Sequence, residues 1–356
     1  MRVAKELWKG NEAVAEAAIR AGCRYFFGYP ITPQNEIPEY FARHMPEHDG
    51  VFVQAESEVA AINMTYGAAG CGVRVMTSSS SPGISLKQEG ISYLAGAELP
   101  VVIVNMMRAG PGLGSIAPAQ SDYFQATRGG GNGDYRTVVL APATIQEMTG
   151  LTQEAFDIAD LYRIPVLILA DGMIGQMMEA VEWSKPKARK LPKKTWATDG
   201  TRNEREHNII NSLFIDPKDC TEHNQKLQKK YDAISKNEVR FEELYADDAE
   251  VLFVAYGTTA RICHAAVLKL RESGVKAGVF RPISLWPFPE KALYDCATRE
   301  SVKAVVCAEM SMGQMIDDVK IACNGKKPIH FSGTGGGTFP TPAELVQAAL
   351  HALEGV

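Results

Sequence analysis

Short, uninterrupted apolar runs limit most strongly how this chain can fold. Val101–Val104, Val166–Ala170 and Val251–Tyr256 each lack the polar residues at alternate positions that a half-exposed strand would have. Continuous runs of this kind are typical of strands that are covered on both faces. Helical patterns separate the runs, and this order predicts parallel β-α-β units. We therefore expect an α/β fold with doubly wound sheets.

The length and the local composition predict two such domains. The chain has 356 residues, which is more than one hydrophobic core usually supports. Residues 1–180 alternate strand and helix patterns, residues 181–246 are highly charged with one amphipathic helical pattern, and residues 247–356 resume the alternation. We predict a first domain over 1–180, a charged linker with a connecting helix over 181–246, and a second domain over 247–356.

Charge and cysteine content exclude several classes of protein. The formal net charge of −5 argues against nucleic acid as the main partner. The seven cysteines are odd in number and never have the C-x-x-C spacing, which disfavours a zinc ribbon, a ferredoxin-type cluster and a disulfide framework. The start of the chain lacks the apolar core of a signal peptide, and no apolar run is long enough to span a bilayer. We expect a cytoplasmic protein with no membrane partner and no metal site of its own.

A strand that ends in a tight turn is predicted at Tyr25–Pro33. The aromatic run gives the strand, and Gly28 and Pro30 end it. Thr32 is expected to cap the next helix, with Pro33 in its first turn. Because ligands bind at the carboxyl ends of strands in open α/β sheets, the Thr32 hydroxyl is a candidate ligand group.

Two glutamates follow the next predicted strand, at the start of a helix of small residues. Glu58 stands at the beginning of that helix, and Glu56 lies two residues earlier. A carboxylate here could simply favour the helix dipole. Alternatively, it could hold a proton for a ligand, and the small residues of the helix would allow another subunit or a cofactor to pack closely. The sequence leaves both interpretations open.

Arg108 follows the strand Val101–Val104 and precedes a glycine-rich loop. An arginine at a strand's carboxyl end suits the binding of a carboxylate by two parallel N–H groups, although a surface ion pair is the simpler alternative. The loop lacks the spaced glycines and later acid of a dinucleotide site, and the chain has no phosphate-loop lysine motif. No histidine is placed to complete a triad with the serines Ser78–Ser81.

Taken together, these motifs resemble the alpha subunit of the 2-oxoacid:ferredoxin oxidoreductases, over nearly the whole chain. The first predicted domain carries four of the matching segments: Gly28–Pro33, Glu56-Ser-Glu58, Thr77–Gly83 with Gln88–Gly90, and Arg108–Pro111. The second carries three more: Arg281–Pro289, Glu309–Gln314 and the glycine-rich stretch Ser332–Thr341. The serine-rich turn and Asn105–Arg108 look most like the branched-chain (2-ketoisovalerate) subgroup, and the 2-oxoglutarate subgroup is the near neighbour.

The resemblance implies a thiamine-diphosphate-binding domain of the pyrimidine type, followed by a domain like the carboxyl-terminal domain of transketolase. It implies that Glu58, in preference to Glu56, contacts the ring nitrogen of the cofactor's aminopyrimidine. Thr32 and Arg108 match the family residues that are expected to hold the 2-oxoacid carboxylate. Ser81 and Gly83 match a motif expected to lie against the cofactor.

The resemblance also implies partner chains. The Gly-Asp-Gly…Asn motif for Mg²⁺ and the diphosphate is missing here, as is a cysteine-rich ferredoxin segment. We expect a beta subunit to hold the diphosphate and Mg²⁺, with gamma and ferredoxin-like delta subunits that include the iron–sulfur carrier, in a dimer of heteromers. The implied reaction converts a branched-chain 2-oxoacid and coenzyme A to acyl-coenzyme A, carbon dioxide and reduced ferredoxin. The alternatives are a 2-oxoglutarate enzyme, whose extra carboxylate would need Lys87, Arg74 or Arg128, and a non-catalytic assembly subunit.

Overall fold

The computed structural model describes residues 5–183 and 189–355. Residues 184–188 of the predicted linker lie outside the described residues. The strands are β1 (Glu6–Lys9), β2 (Tyr25–Gly28), β3 (Val51–Gln54), β4 (Val75–Ser79), β5 (Val101–Met107), β6 (Val138–Leu140), β7 (Pro165–Asp171), β8 (Met178–Val181), β9 (Phe241–Leu244), β10 (Val251–Val254), β11 (Ala277–Pro282), β12 (Ser284–Trp286), β13 (Ala304–Glu309) and β14 (Ile329–Gly333).

Helices connect nearly all of these strands, as the alternating sequence pattern requires. They are α1 (Gly10–Arg20), α2 (Glu36–His44), a 3-10 helix (Met45–His48), α3 (Glu58–Gly70), α4 (Ser81–Gly96), α5 (Tyr123–Arg128), α6 (Ile145–Tyr162), α7 (Gly172–Gln176), α8 (Pro217–Asn237), α9 (Gly257–Glu272), α10 (Glu290–Ala297), α11 (Met315–Cys323) and α12 (Pro342–Glu354).

Within the described residues, the strands form two mainly parallel sheets and one short ribbon. The larger sheet has the order β12-β6-β7-β5-β4-β2-β3, and only β12 in it is antiparallel to its neighbour. The smaller sheet has the order β14-β13-β10-β11-β9, with β9 antiparallel to β11. Strands β1 and β8 form the ribbon. This arrangement confirms the predicted α/β fold with two doubly wound sheets.

Successive residues of the central strands supply two separate apolar layers. Val102 and Val104 of β5 belong to the layer under α1, α2 and α6, whereas Ile103 belongs to the layer under α3 and α4. All three side chains are buried. Side chains alternate across a strand, so a run without polar residues can fill both layers at once.

The second apolar layer continues into the smaller sheet. Leu252 and Phe280 belong to the same buried cluster as Ile103. Gln120 joins the two sheets by hydrogen bonds as well, because its Nε2 donates to the Tyr256 carbonyl at 2.8 Å and its Oε1 accepts from Thr259 at 2.7 Å. The two sheets therefore share one core, and the hydrogen bonds of Gln120 fix the position of one sheet relative to the other.

Strand pairing connects the three predicted segments of the chain. Strand β9 lies in the segment predicted as a linker and pairs with β11 of the smaller sheet. Strand β12 lies in the predicted second domain and pairs with β6 of the larger sheet. The predicted connecting helix corresponds to α8, whose Leu227, Tyr231 and Ile234 are buried. The divisions at residues 181 and 247 stay a prediction.

Candidate active site

The carboxyl ends of β2, β4, β5 and β7 lie along one edge of the larger sheet, because these strands are parallel neighbours. The loops that leave this edge contain the predicted ligand groups. Thr32 follows β2, Ser81 and Gly83 follow β4, and Arg108 follows β5. Parallel pairing thus places residues that are far apart in sequence on one surface.

The guanidinium of Arg108 is buried at this edge without an acidic partner. The residue is 8% exposed. Its Nη1 donates to the Thr32 carbonyl at 3.1 Å and its Nη2 to the Leu113 carbonyl at 3.2 Å, while Nε has no hydrogen-bond partner among the described residues. No carboxylate in residues 5–183 and 189–355 forms an ion pair with it. A buried cation that meets only neutral acceptors favours an anionic ligand.

Ser81 and Asp122 hold the Arg108 backbone in place. The Ser81 hydroxyl accepts from the Arg108 amide at 3.0 Å and donates to Asp122 Oδ2 at 2.6 Å. Asn105 Nδ2 donates to the same Asp122 oxygen at 2.9 Å. Burial raises the pKa of Asp122, and these two hydrogen bonds oppose that shift. The predicted contact of Ser81 with a cofactor stays a prediction. In this structure the Ser81 hydroxyl forms its hydrogen bonds with Asp122 and Arg108.

The expectation that Thr32 caps helix α2, with Pro33 in the first turn, is wrong. The helix begins at Glu36, and its N-cap residue Asn35 makes no side-chain cap. The Pro33 carbonyl instead accepts from Asn11 Nδ2 at 2.7 Å and from Gln176 Nε2 at 2.8 Å. These side chains come from α1 and α7 and fix residues 31–34 as a turn. Thr32 is exposed on this turn, beside Arg108.

Glu58 and Glu56 differ in burial. Glu58 is the first residue of α3 and is 6% exposed, whereas Glu56 points to solvent. The turn before the helix is fixed by the Ser57 hydroxyl, which accepts from the Ala60 amide at 3.2 Å. Among the described residues, no group hydrogen-bonds the Glu58 carboxylate. The choice of Glu58 over Glu56 as the cofactor contact stays a prediction, which this burial supports.

Gly83 allows helix α4 to lie directly against Glu58. A Cβ atom at Gly83 would stand 2.0 Å from Ser79 Oγ and 2.7 Å from Glu58 Oε1, distances that real atoms do not reach. The buried hydroxyls of Ser79 and Ser80 have no hydrogen-bond partner in the described part of the chain. Glu58, Ser79 and Gly83 therefore form a tight polar cluster with unused hydrogen-bonding capacity.

Loops that follow strands of both sheets form the rim of this edge. Leu113 and Ile116 are exposed on the loop after Arg108, and Met312 is exposed on the loop after β13. The glycine-rich stretch after β14 lies against both loops, because a Cβ at Gly337 would stand 2.5 Å from Ala117 Cβ and a Cβ at Gly335 would stand 3.0 Å from Met312 Cγ. We call the exposed residues Leu113, Ile116 and Met312 the apolar rim.

Comparison with known proteins identifies the family. The family model described as "Pyruvate flavodoxin/ferredoxin oxidoreductase, thiamine diP-bdg" matches residues 16–243, and "Pyruvate:ferredoxin oxidoreductase core domain II" matches residues 249–345. The chain belongs to the 2-oxoacid:ferredoxin oxidoreductase family. It is one subunit of an oxidoreductase, and residues 16–243 are its thiamine-diphosphate-binding part.

Two curated relatives cover nearly the whole chain. Ketoisovalerate oxidoreductase subunit VorB of Methanothermobacter marburgensis is 50% identical over 337 residues, which are 95% of each chain. The 2-oxoglutarate synthase subunit KorA of Archaeoglobus fulgidus is 41% identical over 344 residues, covering 92% of this chain and 95% of the relative. These similarities confirm the resemblance inferred from the motifs, with the ketoisovalerate subunit ahead of the 2-oxoglutarate subunit.

Solved structures agree with this assignment. The 2-oxoglutarate:ferredoxin oxidoreductase from Magnetococcus marinus, solved with 2-oxoglutarate, coenzyme A and succinyl-CoA bound, has a TM-score of 0.88 at 26% identity, and the match covers 99% of this chain and 66% of that one. An inactive tetramer of a split-gene transketolase has a TM-score of 0.61 at 16% identity, which shows a common fold. The predicted pairing of a pyrimidine-type domain with a transketolase-like domain is thereby confirmed. In the described residues, the helices include none with the length and apolar character needed to cross a membrane.

Sequence reasoning missed two groups that shape this site. Asp122 lies after an irregular loop, and no local pattern connects it with Ser81, which is 41 residues away. Lys87 was predicted only as a possible partner of a second substrate carboxylate, yet its side chain is fully buried and donates to the Thr77 hydroxyl. Its position one helical turn after Gly83 was the available signal.

Proposed function

We propose that this chain is the alpha subunit of an enzyme that oxidatively decarboxylates a branched-chain 2-oxoacid, 2-ketoisovalerate. The products would be the acyl-coenzyme A, carbon dioxide and reduced ferredoxin. The observation that carries the proposal is the buried Arg108 guanidinium, which has no acidic partner among the described residues and lies at the strand ends beside Thr32. A 2-oxoacid offers the carboxylate that this group lacks.

Each site residue has a distinct proposed role. Arg108 binds the substrate carboxylate through N–H groups along one edge of its planar guanidinium, and the Thr32 hydroxyl contacts the other side of that carboxylate. Arg108 already donates to the Thr32 carbonyl, so the two residues are held together before substrate arrives. This arrangement fixes the substrate's orientation at little further cost in entropy.

The cluster of Glu58, Ser79 and Gly83 fits the pyrimidine end of thiamine diphosphate. The Glu58 carboxylate is buried without a hydrogen bond from the described residues, and the Ser79 hydroxyl is also unpaired. Glu58 would share a proton with the ring nitrogen, and Gly83, which has no side chain, would allow α4 to lie beside that carboxylate. When bound, the cofactor supplies the carbon nucleophile that attacks the 2-oxo group.

The diphosphate and Mg²⁺ are proposed to lie on a beta subunit, with gamma and ferredoxin-like delta subunits completing a cytoplasmic dimer of heteromers that carries the iron–sulfur clusters. The apolar rim supports a partner at this edge, since Leu113 and Met312 are 83% and 81% exposed. Large exposed apolar side chains grouped around a binding site are typical of protein interfaces. Purification from the native host, analysed for partner chains, thiamine diphosphate and iron, tests this assembly.

The contacts of the three cations that the sequence offered for a second carboxylate favour the branched-chain substrate over 2-oxoglutarate. Arg74 donates to Asp157 at 2.5 Å and to Asp160 at 2.9 Å, and Arg128 donates to Asp318 at 2.8 Å. Lys87 is buried and donates to the Thr77 hydroxyl. Each of these three cations is therefore engaged by another group of the described chain.

Ferredoxin reduction by the purified complex, measured with both oxoacids, tests the proposal. We expect a kcat/KM for 2-ketoisovalerate at least tenfold above that for 2-oxoglutarate, with turnover that requires coenzyme A. A preference for 2-oxoglutarate would contradict the branched-chain assignment. Turnover that is unchanged by Glu58→Gln would instead favour a non-catalytic assembly subunit.

A further inference from the structure

Two side-chain amides hold the turn that carries Thr32. The Pro33 carbonyl accepts from Asn11 Nδ2 at 2.7 Å and from Gln176 Nε2 at 2.8 Å. A carbonyl oxygen has two lone pairs, so two donors fix the direction in which it points. Because Pro33 directly follows Thr32, these hydrogen bonds act on the backbone next to the Thr32 side chain.

The two amides also donate to one carboxylate. Glu36, the first residue of α2, accepts from Asn11 Nδ2 at 2.7 Å and from Gln176 Nε2 at 3.0 Å. Lys9 Nζ donates to the same carboxylate at 2.5 Å. Hydrogen bonds to an ionised acceptor are stronger than those between neutral groups, so the amides are held in place. We call Asn11, Glu36 and Gln176 the Glu36 cluster.

The Glu36 cluster joins three helices, because its members lie on α1, α2 and α7. Helix α7 begins at Gly172, directly after β7 and hence at the carboxyl-end edge of the larger sheet. A Cβ at Gly172 would stand 2.9 Å from Pro33 Cγ, so α7 packs directly on the turn. Asn11 is fully buried, whereas Gln176 is exposed and can be replaced without opening a cavity in the core.

Arg108 binds the carbonyl that precedes the one held by the Glu36 cluster. Its Nη1 donates to the Thr32 carbonyl at 3.1 Å. Two successive carbonyls of the turn are therefore bound, one by the arginine and one by the cluster. If the arginine anchored the turn alone, the turn would be released whenever the arginine's N–H groups moved toward a ligand. The cluster holds the turn without using any group that the proposed function assigns to the substrate.

We propose that Asn11 and Gln176 are positioning residues for the substrate carboxylate, which keep the Thr32 hydroxyl in place beside Arg108. This inference rests on the proposed function, in which Thr32 and Arg108 bind that carboxylate. The Glu36 cluster holds the turn in its binding position before the 2-oxoacid arrives, so less conformational freedom is lost on binding. Loss of an amide leaves the arginine in place but allows the hydroxyl to move, which weakens substrate binding.

The test is the steady-state kinetics of the complex with its partner chains, at saturating coenzyme A and ferredoxin. Gln176→Leu removes the amide. Gln176→Glu keeps the shape of the side chain but replaces the N–H donor by an acceptor that faces the Pro33 carbonyl and the Glu36 carboxylate. Gln228→Leu is the matched control, since Gln228 is also exposed and donates to a carboxylate, that of Asp232 on α8.

We expect both Gln176 variants to raise the KM for 2-ketoisovalerate at least about fivefold, with kcat within about twofold of the wild type. The control should keep the wild-type KM. A wild-type KM in Gln176→Glu would show that the side chain only fills space, and it would overturn the inference. A fall in kcat at unchanged KM would overturn it as well.

A double-mutant cycle with Thr32→Val shows whether Gln176 acts through Thr32. Thr32→Val alone should raise the KM at least about tenfold, because the carboxylate loses a hydrogen bond. Gln176→Leu should then add less than about twofold, since the hydroxyl that it positions is gone. An undiminished effect of Gln176→Leu in the Thr32→Val background overturns the inference and leaves the proposed function standing. A wild-type KM in Thr32→Val overturns the proposed role of Thr32, and the inference falls with it.

Discussion

Replacement of Lys87 by methionine should stabilise the chain, although it removes a hydrogen bond. The lysine is fully buried, and in the described part of the chain its amino group bonds to the Thr77 hydroxyl and to no carboxylate. Methionine has a similar length and fills the same space without a charge. We expect Lys87→Met to have a larger free energy of unfolding at neutral pH than the wild type.

The magnitude follows from the pKa of the buried amine. Burial lowers the Lys87 pKa from its ordinary 10.5 to about 7, which corresponds to a penalty of about 5 kcal/mol at acidic pH and about 4 kcal/mol at pH 7. The lost hydrogen bond to Thr77 offsets about 1 kcal/mol. The variant should therefore be about 3 kcal/mol more stable than the wild type at pH 7.

The sign of the pH dependence is fixed by the depressed pKa. Between pH 7 and 10.5 the unfolded chain binds more protons at Lys87 than the folded chain, so wild-type stability rises with pH in this window. The difference in the free energy of unfolding between Lys87→Met and the wild type should shrink by about 2 kcal/mol between pH 7 and pH 9. Well below pH 7 the cost of burying the charged Lys87 amine is fully present, and the difference in the free energy of unfolding becomes constant.

Urea unfolding of the full chain at pH 6, 7, 8 and 9 measures this difference. Lys236→Met, on the exposed side of α8, controls for the loss of one positive charge from the chain. A stability difference between Lys87→Met and wild type that stays constant from pH 7 to 9 would refute the reasoning. A less stable variant at pH 7 would refute it as well.

Two further substitutions test the packing that supports the site. Gly83→Ala should reduce turnover at least tenfold, since its Cβ would overlap Ser79 and Glu58. Gly67→Ala in α3 would meet no atom of the described residues within 4 Å, and it should add about 1 kcal/mol to thermal stability with turnover unchanged. Arg281→Met should cost about 2–3 kcal/mol in urea unfolding, because Arg281 donates from the smaller sheet to both Glu147 oxygens on α6, at 2.8 and 2.9 Å. Equal turnover in the two glycine variants, or unchanged unfolding of Arg281→Met, would contradict these contacts.

The fold class could be predicted because it depends on local composition. A strand such as Val101–Val104 has no polar residue to place in water, so it must be covered on both faces, and helices between such strands make the sheet parallel. The position of Arg108 could be predicted in the same way, since a residue that directly follows a buried parallel strand lies at the carboxyl-end edge of the sheet.

Long-range contacts account for what the sequence did not predict. The local signals favoured a helix start at Thr32, but Asn11 and Gln176 bind the Pro33 carbonyl and hold a turn there. The Gln176 contact spans 143 residues, so no local pattern contains it. The burial of Lys87 was not predicted, because a lysine in a helix is usually exposed and its contact with Thr77 of β4 depends on how α4 packs on the sheet.

Substrate binding by Arg108 is the central claim, and Arg108→Met in the reconstituted complex tests it most directly. The carboxylate would lose two charge-assisted hydrogen bonds, which are worth about 1.5–3 kcal/mol each. We predict a fall of at least about 100-fold in kcat/KM for 2-ketoisovalerate, with thiamine diphosphate still bound and the melting temperature of the complex preserved. A kcat/KM within about threefold of wild type, at full cofactor content, would show that the substrate carboxylate binds elsewhere.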